Sequence, residues 1–176
     1  MFIVKYYLGG ALAALLLAYF SQSVFMAIPL AWIGLSLTAV GSAYLLQKPA
    51  IFRKKQDGSI PFYVRWLFIP FLVGVQLYNA WARKHDKVPA IQKIDDDLYL
   101  ACRLFPSDVE YLQGQNVKAI LDVTAEFDGL DWTATSEELA YLNVPVLDHQ
   151  SPNEEDLLSA VNWIDNQRRA KRGVVV

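Results

Sequence analysis

From Tyr6 to Gln47 the chain runs for 42 residues without one charged side chain. A helix needs about 20 apolar residues to cross a bilayer, so this run has room for two passes. Ser21-Gln22-Ser23 is the only polar cluster inside it, which places a first helix over about residues 2–20 and a second over about 24–46. Lys5 lies near enough to the start to reach the interface with its ammonium group. Lys48, Arg53, Lys54 and Lys55 follow the second helix, and basic residues collect on the cytoplasmic side of a membrane, so both ends of the hairpin are expected there.

A competing reading takes residues 1–23 as a cleaved signal peptide, with the small residues of Ser21-Gln22-Ser23 near the cleavage site. One lysine is a weak basic start for such a signal, and the second apolar segment would remain an anchor in either case. Gly9, Gly10, Gly34, Ser36 and Gly41 are assigned to close helix packing and to nothing more. A third apolar stretch, Trp66 to Ala82, is bounded by Arg65 on one side and by Arg83, Lys84 and Lys87 on the other. Trp66, Tyr78 and Trp81 are ring types that settle at headgroup depth, and Pro70 is expected to interrupt a straight helix. An interfacial or re-entrant helix and a third crossing both remain open. The basic residues on both flanks favour the helix lying on the membrane.

Composition changes sharply near residue 90. Residues 1–90 hold nine Lys or Arg against two acids, and residues 91–176 hold seven against sixteen, so the formal net charge of −2 is +7 and −9 combined. A basic apolar half suits anionic headgroups, and an acidic second half argues against a nucleic-acid partner. With Cys102 the single cysteine, no intramolecular disulfide can form and no paired metal-ligand cysteines exist. No cofactor and no metal are expected.

The chain therefore divides into a transmembrane hairpin (1–47), a basic loop with the third apolar stretch (48–88), and an α/β segment (89–176). In the last, Asp95-Asp96-Asp97 leads into a first strand, Leu98 to Ala101. Ser107 and Glu110 are spaced for a capping box, with Gly114 closing the short helix that follows. Val117 to Val123 and Tyr141 to Leu147 read as a second and third strand. Ser151-Pro152-Asn153-Glu154 reads as a second capping box with Pro at the first helical position. Leu157, Leu158, Val161 and Ile164 recur on one face of that helix. Arg168, Arg169, Lys171 and Arg172 suit the negative end of its dipole or an anionic lipid, and Gly173 is expected to end it. Gly173-Val-Val-Val176 is a fourth strand with the composition of one buried on both faces. The expected fold is thus an α-helical membrane anchor plus an incomplete α/β domain with a mainly parallel sheet. More residues, a C-terminal domain or a partner chain would have to cover the open sheet.

The segment from about Ile94 to Val176 resembles the dual-specificity branch of the cysteine-dependent phosphatases. Within it, the likeness is to bacterial membrane-anchored members, some joined to a diacylglycerol-kinase-like domain. The resemblance rests on Leu98-Tyr-Leu-Ala-Cys-Arg-Leu-Phe-Pro-Ser-Asp108, on Val117-Lys-Ala-Ile-Leu-Asp-Val-Thr124, and on Val144-Pro-Val-Leu-Asp148 with the capped helix and Gly-Val-Val-Val after it. It implies a phosphatase-like fold of which this is the N-terminal half, since the family's last strand leads into a His-Cys-x5-Arg loop that this sequence does not reach. It implies hydrolysis of a phosphate monoester, on a lipid or a phosphoprotein, through a cysteinyl-phosphate intermediate.

That chemistry needs a thiolate, an Arg gripping phosphate oxygens, and an acid protonating the leaving group. By position, Asp148 matches the acid. The nucleophile and the phosphate-binding loop are not in this chain. Cys102 is not the nucleophile, because Asp108 stands six positions on where the signature needs Arg, and we expect it to be a buried or half-buried small residue. His149 is expected at the surface, Asp122 and Glu126 as solvated acids at the end of the second strand, and His85 in the basic flank. The likeness to bacterial members together with the basic flanks of the hairpin leads us to expect the inner membrane, with the α/β segment in the cytoplasm. The alternative is a non-catalytic membrane protein whose α/β remnant binds a partner chain.

Overall fold

The computed structural model describes residues 2–85, 89–104, 106–128 and 139–176. The boundary drawn at residue 88 and the flanking Lys87 lie outside the described residues. The chain forms two compact units: residues 1–53 with 60–84, and residues 54–59 with 85–176.

In the first unit, α1 (Phe2–Phe20) and α2 (Val24–Leu45) form a hairpin. Its turn is tied by Ser21 Oγ, which donates to the Ser23 carbonyl at 3.0 Å. The two helices approach closely where α2 carries glycine. A Cβ on Gly34 would lie 2.6 Å from Leu15 Cγ, and one on Gly41 would lie 2.7 Å from Leu8 Cδ2. Thr38 and Ser42 donate their hydroxyls to the carbonyls of Gly34 and Thr38 one turn earlier, which satisfies polar groups on an apolar helix. Both helices are long and apolar enough to span a bilayer. Only 17% and 22% of the two apolar stretches are buried, unlike core helices of a soluble protein.

A turn of 3-10 helix, Pro49–Phe52, follows, and then α3 (Phe62–His85). Pro70 does not interrupt α3. The helix runs through it for 24 residues, about 36 Å at 1.5 Å per residue. Its first half is held by ring contacts: Trp66 stacks on Trp32 at 4.8 Å, Phe68 meets Phe52 at 4.8 Å, and Phe71 meets Tyr7 edge-on at 5.7 Å. With Val64, Phe68 and Phe71 buried, side-chain packing holds the helix together across the proline.

The second unit is a five-stranded sheet in the order β1-β2-β5-β3-β4. The strands are β1 (Ile91–Asp95), β2 (Leu98–Ala101), β3 (Val117–Thr124), β4 (Ala140–Val146) and β5 (Gly173–Val175). The β1–β2 pair is antiparallel, whereas β2–β5, β5–β3 and β3–β4 are parallel. β5 therefore lies inside the sheet, with Val174 and Val175 fully buried, and the open edges are β1 and β4. β1 is an addition to the strands read from sequence. The Asp95–Asp97 run is the turn of the β1–β2 hairpin, and Arg168 pairs with both Asp95 and Asp97 there. That cation is thus engaged by an acidic turn as well as by the end of its helix.

Among the described residues, two helices cover the sheet. α4 (Pro106–Gly114) begins one residue before Ser107, so Ser107 lies within the helix and Pro106 takes the first position, where its missing N–H is harmless. On one face Tyr99, Leu104, Leu112, Val117, Ile120 and Val175 form a core. On the other, Leu121 and Val144 pack against Ala160 of α5 (Glu154–Arg169). The cap of α5 is Asn153, not Ser151. Its side chain accepts from the Asp156 N–H at 2.7 Å and donates back to the Asp156 carboxylate at 2.8 Å, which leaves Pro152 ahead of the cap. The inward stripe also differs from the one read from sequence: Ala160, Trp163 and Ile164 face the sheet, while Leu157, Leu158 and Val161 are about half exposed. Ala160 is the small residue that lets the helix sit close to Leu121 and Val144. The helix ends at Arg169, Lys171 takes the left-handed conformation after it, and Gly173 opens β5.

Candidate functional site

Parallel strands bring their carboxyl ends to one rim, and the crevice outside such a rim is where α/β sheets hold ligands. At this rim lies a cavity of about 90 Å³, walled by Ala101 to Leu104 at and beyond the end of β2, by Val175 of β5 with Val176 after it, and by Ile120 to Thr124 of β3, with Phe127, Asp128 and Tyr141. Its lining is mostly apolar. Arg103 places its guanidinium over the Phe127 ring, 4.7 Å from the centroid. Cys102 is exposed on this wall, which corrects the expectation of a buried or half-buried side chain; the chain leaves β2 at this point, before the sheet can cover it.

The polar part of the wall is built around Asp122. Its Oδ1 accepts from the Thr124 N–H at 2.9 Å and the Thr124 hydroxyl at 2.7 Å, and its Oδ2 accepts from the Tyr141 hydroxyl at 2.6 Å. The remaining partner is Lys54, whose ammonium lies 2.7 Å from Asp122 Oδ2 with only 1% of its side chain exposed. Lys54 also donates to the Thr124 carbonyl at 2.8 Å and to Thr124 Oγ1 at 3.0 Å. Asn143 closes the group by donating to the Asp122 carbonyl at 2.8 Å.

Two expectations are corrected by this arrangement. Asp122 and Glu126 are not solvated: Glu126 is 3% exposed and the Asp122 carboxylate 14%. Lys54 does not add a free charge to the basic loop, because a carboxylate inside the sheet domain takes it. Burial pulls the Lys54 ammonium below the ordinary lysine value, and the Asp122 charge and hydrogen bond offset part of that shift. Burial, followed by the Asp122 charge and hydrogen bond, pushes the Tyr141 phenol well above its ordinary value.

Asp148 stands two residues beyond β4 on the same rim but does not line the cavity. Its side chain is 67% exposed, and its Oδ2 lies 3.6 Å from Nε2 of His149, which is exposed as expected. The turn is fixed from beneath: the Asp148 N–H donates to Glu126 Oε1 at 3.2 Å, and the His149 N–H donates to Asp148 Oδ1 at 3.0 Å. His85 is the last residue of α3. Among the described residues no group of three potential metal ligands converges. Sequence reasoning missed Lys54, Thr124, Tyr141 and Asn143. The available signal was Asp122 itself, an acid inside an apolar strand, which requires a partner.

No protein-family model matches the chain, and no curated protein sequence matches it. Two solved structures of the phosphatase Tk-PTP do match. The active form is 18% identical over 49% of this chain and 60% of its own, with a TM-score of 0.43. A mutant form is 17% identical over 49% of this chain and 58% of its own, also with a TM-score of 0.43. The chain thus spans about three fifths of the length of the solved structures it matches.

Proposed function

We propose that the chain is the anchor and opening part of a membrane-bound, cysteine-dependent phosphatase of the dual-specificity type, acting on a phosphate monoester of a lipid or a phosphoprotein. The observation that carries this reading is the place of β5. In the family that residues 94–176 resemble, the thiolate loop follows this strand. Here the strand lies between two parallel neighbours and its carboxyl end borders the rim cavity. A loop continuing from Val176 would have its backbone N–H groups at that cavity, with Asp148 on the same rim to protonate the leaving oxygen. Residues 1–47 hold the domain at a bilayer, which raises its effective concentration toward membrane-bound substrates. The basic loop and α3 face anionic headgroups on the cytoplasmic side.

The test is hydrolysis of an aryl phosphate by the gene product in proteoliposomes. Asp148→Asn should lower turnover by ~10²-fold or more while phosphate-analogue binding is kept. A variant with full turnover removes Asp148 from the mechanism. A second reading, a non-catalytic protein that docks a partner chain, is favoured by one observation, the exposed Leu157, Leu158 and Val161 on α5. It predicts no hydrolysis by any form of the protein.

A further inference from the structure

The basic segment after α2 read as solvated positive charge, yet the side chain of one of its lysines is almost wholly enclosed by the sheet domain. Lys54 reaches Asp122 across 68 positions of sequence. Its three hydrogen bonds, to Asp122 Oδ2 at 2.7 Å, the Thr124 carbonyl at 2.8 Å and Thr124 Oγ1 at 3.0 Å, equal the donor count of an ammonium group. A lysine with four flexible methylenes ordinarily carries its charge out to water, so enclosure at 1% exposure shows a receptor shaped for it. The acceptors are themselves held in place. Thr124 donates its N–H and hydroxyl to Asp122 Oδ1, and Asn143 donates to the Asp122 carbonyl.

The segment that delivers the lysine is also built. The Lys55 N–H donates to the Ser59 carbonyl at 2.9 Å, and the Gly58 N–H donates to the Lys55 carbonyl at 2.9 Å. Asp57 Oδ1 accepts from the Ser59 N–H and hydroxyl at 2.9 and 2.7 Å. Residues 54–59 accordingly cluster with the sheet domain, although they lie more than 30 residues ahead of β1.

We propose that the carboxyl end of β3 is a niche for a primary ammonium, filled in this chain by Lys54, so that residues 54–59 are a working support of two residues of the rim cavity's wall rather than a linker. Lys54 is a positioning residue. It acts through Asp122 and Thr124, both of which border the cavity. A domain cut to begin near residue 89 would keep the cavity's lining but lose this support and leave the Asp122 carboxylate without its cation. The inference does not depend on the phosphatase reading.

The test is amide hydrogen exchange on the intact chain in nanodiscs. Lys54→Ala should speed exchange of residues 122–126 and 141–147 on the order of a hundredfold, the effect of breaking a buried ion pair. Millimolar n-propylammonium should restore most of the protection, whereas n-butanol and tetramethylammonium should not. Loss of protection confined to residues 54–59, or equal rescue by the neutral alcohol, overturns the proposal. The wild-type chain supplies a second measurement that does not require a variant to fold. Its lysine side-chain spectrum should hold one slowly exchanging ammonium signal that vanishes in Asp122→Asn. A wild-type spectrum with no protected ammonium contradicts the niche directly.

Discussion

Asp122→Ala tests the electrostatics of the sheet domain most sharply, because it removes the carboxylate and leaves the Lys54 ammonium enclosed. Breaking a buried pair from one side costs about 3–5 kcal/mol. An upper limit follows from proton release: at neutral pH a lysine can shed its proton for about 5 kcal/mol, and burial already lowers the Lys54 value, so the cost lies below that ceiling. The 14% exposure of Asp122 moves the expected loss toward the lower end, about 3 kcal/mol. The unit has 98 residues, for which a typical total stability is about 5–15 kcal/mol, so the loss is a large share of it. Lys54→Met should cost a similar amount, by stranding the carboxylate instead. Removing both partners, Lys54→Met with Asp122→Ala, should cost no more than either single variant, about 3 kcal/mol, giving a coupling energy of about 3 kcal/mol. Urea unfolding of the sheet domain within the intact chain, read by pulse proteolysis in detergent, measures all three variants. Additive losses, with coupling under about 1 kcal/mol as for exposed pairs, would refute the reasoning.

Three further outcomes are expected. Tyr141 has its folded-state value raised above 10.0, so its contribution to stability is present below about pH 10 and lost as pH rises beyond it. Ultraviolet titration should therefore show the same phenolate amplitude up to about pH 12 in wild type and Tyr141→Phe, and a smaller amplitude in the variant places Tyr141 in water. Gly34→Val should separate α1 from α2 and destabilise the hairpin by about 1–3 kcal/mol. Gly9→Ala, whose added Cβ meets nothing within 4 Å, should be neutral or slightly stabilising; equal effects of the two in nanodisc melts would show that the glycines do not set the packing. Leu112→Ala empties a site that is 1% exposed beneath the sheet and should cost about 2–5 kcal/mol in the urea assay, whereas a loss under 1 kcal/mol would displace α4 from the core.

The elements legible in the sequence were those set by local physics. A charge-free run broken once by Ser21-Gln22-Ser23 gave both hairpin helices nearly to the residue. Alternation and turn residues gave four of the five strands. β1 was missed because Ile91-Gln-Lys-Ile-Asp95 is a half-exposed edge with no apolar run to mark it. The cap of α5 was placed two residues early because Ser151 and Asn153 both satisfy the rule, and only the reciprocal bonds with Asp156 choose between them. Pro70 misled because a proline breaks an isolated helix, whereas α3 is held by Phe52, Trp32 and Tyr7 from other elements. The rim was the least legible part. Lys54 sits among basic neighbours that suit a membrane loop, and no local rule joins it to an acid 68 positions away. Asp148 could be placed on the rim from its position after a strand. Its exposure and its support by Glu126 come from the fold of the turn.

The functional account is tested most directly by trapping its intermediate. The gene product in proteoliposomes would be mixed with a radiolabelled phosphate monoester, quenched in acid and peptide-mapped. The account predicts phosphate bound to a cysteine that follows Val176 in the chain, and none on Cys102. Label on Cys102 or His149, or no covalent label during measurable turnover, would contradict it.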